Sequence, residues 1–152
     1  MASEIERKFL IDPLHPDVVA LMETRPRSIR QGYIMSSTTG VVRIRIEDDQ
    51  AMLTIKGVTV GISRSEFEYP IPVDDAEHLL ETMCAKIIEK KRYHYPLPGG
   101  FLAEVDVFPQ IDLCLAEVEV PSEKTVIDKP EWFGEDVSTQ SQYFNNNIAD
   151  RI

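Results

Sequence analysis

Pairs of charged residues spaced two apart recur on one short β-type segment after another along this chain. Residues two apart on a β-strand point to the same face of a sheet, so each segment presents one charged face. The opposite face of most of these segments is apolar. Any fold must therefore give every such strand one side for charges and one side for apolar residues. The charged positions are Glu4, Glu6, Lys8, Arg43, Arg45, Lys56, Arg64, Glu66, Glu68, Lys90, Arg92, Glu104, Asp106, Glu117 and Glu119.

Short strand-type runs bounded by turn residues dominate the chain and predict a mainly β (α+β) fold. Residues 73–84 predict a helix, with apolar residues at helical spacing and two aspartates in the first turn. Shorter helices are predicted within residues 13–24, 122–128 and 140–151. Antiparallel strands joined by turns favour a closed barrel, which has no unpaired edge. The predicted strands are residues 5–11, 28–36, 41–48, 51–56, 63–70, 87–95, 102–108 and 115–120.

Two kinds of barrel fit this pattern. In the first, the apolar faces form the core and the charged faces meet water, as on an ordinary half-solvated sheet. In the second, the charged faces line an interior tunnel and helices cover the apolar outside. The pairing of charges, the segregation of signs by strand and the predicted helices favour the second. We therefore expect a closed eight-stranded antiparallel β-barrel with a charged interior and helices outside.

Charge and cysteine content narrow the function classes. The chain has 152 residues and a formal net charge of −10, so we expect one domain over residues 1–152 and neither a nucleic acid nor a membrane as partner. An anionic ligand would need positive charge that is local and enclosed. Cys84 and Cys114 lack CxxC spacing, and the chain shows no signal peptide, so we expect a reducing cytoplasm.

A charged tunnel of this composition suits an extended polyanion together with a divalent cation. Arginine binds phosphate oxygens bidentately and lysine adds a point charge. Successive inward residues of a strand lie about 7 Å apart, so several strands can serve several phosphates. Carboxylates hold Mg²⁺ or Mn²⁺, which bridge to substrate phosphates. These residue types are the ones that phosphoryl transfer uses, here without the glycine-rich loop of a P-loop enzyme.

The opening sequence EIERKFL at residues 4–10 resembles the ExExK signature of the CYTH superfamily, the triphosphate tunnel metalloenzymes. The other motifs follow in the order typical of that family. They are RxR at 43–45, LTIKG at 53–57, SRSEFEYPI, KxR at 90–92, EVDVF, AEVEV, and WFGEDV followed by YFNNNIA. The resemblance covers essentially the whole chain and is strongest to the short bacterial members, which consist of the catalytic domain alone. It implies a closed eight-stranded tunnel with helices outside.

The resemblance also implies roles for individual residues. The metal-binding carboxylates would be Glu4, Glu6, Glu117 and Glu119, with Asp106 as a further candidate ligand. The triphosphate-binding set would be Lys8, Arg43, Arg45, Lys56, Lys90 and Arg92, with Arg64 and Tyr33 as further members. A packing role is the alternative for Tyr33, and Glu66, Glu68, Glu104 and Asp106 match other acidic interior positions. The expected catalytic residues are Glu4, Glu6, Lys8, Lys90, Glu117 and Glu119.

Short bacterial members of the family hydrolyse inorganic triphosphate. The resemblance therefore implies a metal-dependent hydrolase that uses Mg²⁺ or Mn²⁺ and releases pyrophosphate and phosphate. The alternatives are a class IV type adenylate cyclase, a hydrolase of thiamine or nucleoside triphosphate, and a non-catalytic module that binds polyphosphate or nucleotides. A homodimer through apolar outer strands is also considered. Tyr143, Asn145 and residues 148–149 match a terminal helix that caps one tunnel mouth in relatives, packing outside the barrel being the alternative.

Overall fold

One antiparallel sheet, rolled into a barrel, organises residues 3–152, the part of the chain that this computed structural model describes. In spatial order the strands are β5-β4-β3-β2-β6-β7-β8-β1-β9, and pairing of β1 with β5 closes a ring of eight. The predicted closed eight-stranded barrel is confirmed, and β9 lies outside the ring. The strands are β1 (Ser3–Ile11), β2 (Arg27–Ser36), β3 (Gly40–Glu47), β4 (Gln50–Gly57), β5 (Ser63–Ile71), β6 (Ile87–Pro96), β7 (Leu102–Phe108), β8 (Leu113–Glu119) and β9 (Phe133–Asp136).

Two helices cover the apolar outside of the barrel, as predicted. The first, α1 (Pro16–Met22), buries Val18 against the outer faces of β1, β7 and β8. The second, α2 (Val73–Met83), buries Leu80 in a cluster with Ile44 of β3. Within residues 3–152, no helix has the length and apolar character needed to cross a bilayer.

β1 is the strand that ties the barrel together. On one edge its residues 6–10 pair with β8. On its other edge, Ser3 and Ile5 pair with the start of β5, and Phe9 and Ile11 pair with β9. β9 therefore takes over the edge of β1 that β5 leaves, so that this edge stays paired near both ends of the strand.

One helix prediction is wrong and another is wrong in its extent. Residues 122–128 form a turn and an irregular segment rather than a helix, because the segment offers no apolar stripe: Ile127 is buried but Val126 is 87% exposed. Residues 140–151 form a 3₁₀ turn, a short helix α3 (Asn145–Ile148) and a second 3₁₀ turn. Phe144, with an extended backbone at ψ 135°, interrupts the helix.

The inside of the barrel is divided into an apolar end and a charged end. At the apolar end, the inward side chains Ile88, Phe108 and Leu115 pack around Ile148 of α3, and each is at most 1% exposed. The C-terminal segment, defined here as residues 141–151, thus fills one end of the barrel, which favours the capping alternative over packing outside. Further along the same three strands, Arg92, Glu104 and Glu117 line the other end.

Phe9 tests the contribution of β9 to stability. Its ring is fully buried on the outer face of β1 and lies 4.7 Å from the ring centroid of Phe133. We expect Phe9→Ala to lower the free energy of unfolding by about 3–5 kcal/mol. Urea unfolding followed by circular dichroism measures this, with Leu14→Ala, at a site 83% exposed, changing stability by less than about 0.5 kcal/mol. A loss below about 1 kcal/mol for Phe9→Ala would contradict this packing.

Candidate functional site

The charged end of the barrel encloses a cavity of about 290 Å³. Charged side chains that an ordinary barrel would turn to water are buried around it, among them Lys8 at 4% exposure and Arg43 at 5%. The charged faces therefore point inward, as the second kind of barrel, with a charged interior, requires. The predicted site residues on its wall are Glu4, Glu6, Lys8, Tyr33, Arg43, Arg45, Lys56, Arg64, Arg92, Glu117 and Glu119.

The two arginines of β3 form the most positive part of the wall. Arg45 Nε donates a hydrogen bond to Gln31 Oε1 at 2.9 Å, and within residues 3–152 no carboxylate lies within ion-pair distance of Arg45. Burial, with the neighbouring charges of Arg43 and Arg92, lowers the pKa of Arg45 to about 10. Arg43 Nη2 lies 3.6 Å from Glu68 Oε2, whereas its buried Nε has no partner among the described residues. An anion in the cavity would relieve both conditions.

Arg92 is held quite differently. Asp106 is fully buried and accepts hydrogen bonds from Arg92 Nε and Nη2, both at 2.8 Å, while Lys90 Nζ lies 2.8 Å from the same carboxylate. Burial alone would raise the pKa of Asp106, but the charges of Arg92 and Lys90 lower it. Lys90 and Asp106 lie behind the cavity wall rather than on it. Both oxygens of Asp106 face cations here, and its proposed role as a metal ligand stays a prediction.

The carboxylates of β1 and β8 face each other across the strand pair. The register places Glu6 opposite Glu119 and Lys8 opposite Glu117. Like charges directly opposite on antiparallel strands repel each other. Burial and the charge of Glu117 raise the pKa of Glu6 to about 7, despite Lys8 Nζ at 4.0 Å. Glu6 is therefore an acid that the cavity makes costly to ionise without an added cation.

Glu4 and Glu117 already have cationic partners. Glu4 Oε1 accepts hydrogen bonds from Lys56 Nζ at 2.7 Å and from Arg64 Nε at 3.1 Å. Glu117 Oε1 lies 3.3 Å from Lys8 Nζ. Burial alone would raise the pKa of Glu117, but neighbouring lysines and Arg92 hold it well below its usual value. These two carboxylates thus position basic side chains in the absence of other ligands.

The donor set fits a hard divalent cation, although no complete cage is formed in advance. Within residues 3–152, no three His, Cys, Asp or Glu side chains converge into a ready metal site. Glu6 and Glu119, however, lie opposite one another and accept no hydrogen bond from the described residues. Carboxylate oxygens are ligands that Mg²⁺ and Mn²⁺ accept, and Mg²⁺ usually completes its shell with water and substrate phosphates.

The C-terminal segment touches the charged wall through three consecutive residues. The Tyr143 carbonyl oxygen accepts a hydrogen bond from Lys8 Nζ at 2.9 Å. The Phe144 ring lies 5.6 Å from Lys8 Nζ and 5.7 Å from the Arg64 guanidinium carbon. Asn145 Oδ1 accepts from Lys90 Nζ at 2.9 Å. The motif YFNNN pointed to Tyr143 and Asn145, whereas nothing in the motif indicated the role of Phe144.

Gln31 is a further site residue that sequence analysis missed. It is fully buried and lies directly opposite Arg45 in the pairing of β2 with β3. Its position two residues before Tyr33 is the signal that would have found it, because both then share the inward face of β2. An uncharged amide did not stand out in a search for paired charges.

Comparison with known proteins finds one family along nearly the whole chain. A family profile described as the CYTH domain matches residues 2–152. An inorganic triphosphatase of Acetivibrio thermocellus is 40% identical over 152 residues, which cover 98% of this chain and 94% of that protein. An inorganic triphosphatase of Nitrosomonas europaea is 37% identical, with 97% of each chain covered.

Solved structures give the same result. The crystal structure of an inorganic triphosphatase is similar with a TM-score of 0.66 at 34% sequence identity, covering 98% of this chain and 95% of that one. A protein of Pyrococcus horikoshii, 17% identical with a TM-score of 0.62 and 80% of each chain covered, shows a likeness of fold alone.

Proposed function

The chain belongs to the CYTH domain family, and we propose that it is a metal-dependent hydrolase that cleaves inorganic triphosphate to pyrophosphate and phosphate. Relatives at 37% and 40% identity are named inorganic triphosphatases. The observation that carries the proposal is Arg45, a guanidinium on the cavity wall with which no carboxylate of residues 3–152 forms an ion pair. A half-buried cation without such a partner is costly, and a polyanionic substrate would supply that partner.

The dimensions of the site favour a small substrate. A cavity of about 290 Å³ is at the lower end of the range for small-molecule sites. The C-terminal segment fills the apolar end of the barrel, which leaves no through passage for a long polymer. Basic residues on β1, β3, β4, β5 and β6 surround the space, so that three linked phosphates can each meet a cation.

In the proposed mechanism, Arg43, Arg45 and Arg92 bind phosphate oxygens, together with Lys8, Lys56, Arg64 and the more deeply placed Lys90. A divalent cation, Mg²⁺ or Mn²⁺, on Glu4, Glu6, Glu117 and Glu119 would neutralise charge and activate water when bound. The carboxylates of β1 and β8 orient a water toward a terminal phosphorus. The oxygen of this water forms the new P–O bond. The bond from that phosphorus to the bridging oxygen breaks, and the bridging oxygen leaves on pyrophosphate. Positioning and charge neutralisation carry most of such a reaction.

The decisive assay is phosphate release from inorganic triphosphate, with ATP and thiamine triphosphate in parallel, each with Mg²⁺, Mn²⁺ or a chelator. We expect fast release from inorganic triphosphate that the chelator abolishes, because the acidic wall needs a cation before it can admit a polyanion. Cyclic AMP from ATP without triphosphate hydrolysis would favour the cyclase. Tight metal-dependent binding without release would favour the binding module.

Four further expectations belong to this proposal. Residues 1–152 form a single catalytic domain, which the one sheet within residues 3–136 supports. A cytoplasmic location agrees with the free thiols of Cys84 and Cys114, and a net charge of −10 disfavours nucleic acids and anionic membranes as partners. A homodimer stays a prediction. It is supported by the exposed side chains on the outer faces of β4 and β5, where Ile55, Phe67 and Tyr69 are 39–52% exposed.

A further inference from the structure

Arg45 is held by a neutral side chain, whereas Arg92 and Arg64, elsewhere on the wall, are held by carboxylates. Gln31 Oε1 accepts the hydrogen bond from Arg45 Nε at 2.9 Å. We propose that Gln31 is a positioning residue, which orients Arg45 toward the triphosphate without neutralising its charge. The inference rests on the proposed function, since it concerns how the same cavity binds its substrate.

The arrangement of Arg92 shows what the alternative would look like. Two hydrogen bonds at 2.8 Å join Arg92 to Asp106. In this bidentate pair the carboxylate offsets much of the positive charge of Arg92. Burial alone would lower the pKa of Arg92, but Asp106 raises it well above its ordinary value. For Arg45 the pKa moves in the opposite direction. An amide oxygen fixes the guanidinium plane and leaves its charge available.

The orientation of the Gln31 amide is fixed by its surroundings. A guanidinium nitrogen can only donate, so the oxygen of Gln31 must face Arg45. Gln31 Nε2 then donates to the Tyr33 hydroxyl at 3.1 Å and to Asn145 Oδ1 at 3.3 Å. Asn145 Oδ1 also accepts from Lys90 Nζ. All polar atoms of the buried amide are thus used, and only one acceptor is turned to Arg45.

The same contacts link substrate binding to the C-terminal segment. Asn145 reaches Gln31 on one side and, through Nδ2, Glu117 Oε1 at 3.5 Å on the other. Arg45, Gln31 and Asn145 therefore form a continuous chain from β3 through β2 to α3. A change at Gln31 acts on Arg45 directly, so the energetic coupling between these two residues can be measured.

The test is Gln31→Glu, which keeps the acceptor and its shape but adds the charge that Gln31 avoids. We expect KM for inorganic triphosphate to rise at least about 10-fold and kcat to change less than about 3-fold, because an ion pair with Arg45 competes with substrate oxygens. Gln142→Glu adds the same charge at an exposed position of the C-terminal segment and should leave KM within about twofold.

A double-mutant cycle separates positioning from a merely structural role. In an Arg45→Met background, adding the neutral substitution Gln31→Met should change kcat/KM by less than about twofold, because Gln31 acts through Arg45. An unchanged KM in the single variant, or a full additional loss in the double variant, would overturn the inference. If Gln31→Glu does not fold, Gln31→Met removes the acceptor, and an unchanged KM there overturns it equally. A wild-type protein without triphosphatase activity would instead remove the proposed function itself.

Discussion

Replacing Glu6 by glutamine is expected to lower the turnover of inorganic triphosphate by more than about 100-fold while leaving the fold intact. Changes to residues that only support metal ligands already cost about 10–100-fold, and Glu6 is proposed as a ligand itself. It lies opposite Glu119 and accepts no hydrogen bond from the described residues. Steady-state kinetics with Mg²⁺ or Mn²⁺ measure the loss, and Glu81→Gln, on the exposed side of α2, is the matched control.

The same substitution should stabilise the metal-free protein at high pH. Burial and Glu117 raise the folded-state pKa of Glu6 from 4.5 to about 7, so the folded state binds this proton more tightly than the unfolded state. The resulting stability is complete below about pH 4.5 and is lost as the pH rises through about 7. Glutamine stays neutral throughout. In chelator, the melting temperature of Glu6→Gln should therefore exceed that of the wild type at pH 8 and match it at pH 4.5.

Two other outcomes would contradict the assignment of Glu6, each in a different way. Near-normal turnover in both Glu6→Gln and Glu119→Gln would remove the metal role of the carboxylates on β1 and β8. An equal melting temperature at pH 8 would show that Glu6 is ionised without strain in the free protein. The combination of lost activity and gained stability is the result that a purely structural glutamate would not give, because its removal would lower both.

Replacing Arg45 by methionine is expected to lower kcat/KM for inorganic triphosphate about 100-fold. A hydrogen bond to a charged group is worth about 1.5–3 kcal/mol, and the forked guanidinium can make two such bonds to phosphate. Arg45→Lys should recover only part of the loss, because an ammonium lacks the fork. Arg25→Met, at an exposed position before β2, provides a control that should stay within about twofold.

As with Glu6→Gln, the loss of activity in Arg45→Met should not be accompanied by a loss of stability. The charges of Arg43 and Arg92 act against that of Arg45, and burial adds to the cost. Removing this charge should leave the free energy of unfolding unchanged or raise it, as urea unfolding would measure. A marked loss of stability together with near-normal kcat/KM would identify Arg45 as a packing residue and remove the observation on which the proposed function depends.

The barrel could be predicted from the sequence because charged and apolar residues alternate periodically along its strands. Alternation at period two places Arg43 and Arg45 on one face of β3 and Ile44 on the other, and closure brings such faces together. Depth inside the barrel is not encoded by this period. Lys90 and Arg92 share a face of β6, yet Lys90 lies behind the cavity wall and Arg92 on it.

The features that were not predicted lack periodicity of their own. β9 has four residues, including Gly134 and two acids, and it becomes a strand because β1 offers it an open edge. The break at Phe144 follows from tertiary contacts, since the adjacent Tyr143 and Asn145 both bond to the barrel wall. Gln31 acquires its role only from the arginine that register places opposite it.

The pairing of β1 also sets the order in which the molecule can be made. The partners of this first strand lie at residues 63–65, 115–119 and 133–136, so during synthesis β1 cannot complete its pairing until residue 136 has left the ribosome. Folds dominated by such distant pairings form slowly, in milliseconds to seconds. Lys8 meets Glu117 and the Tyr143 carbonyl only when the ring closes. The part of the site that Lys8 provides is therefore complete only after residue 143 has been synthesised.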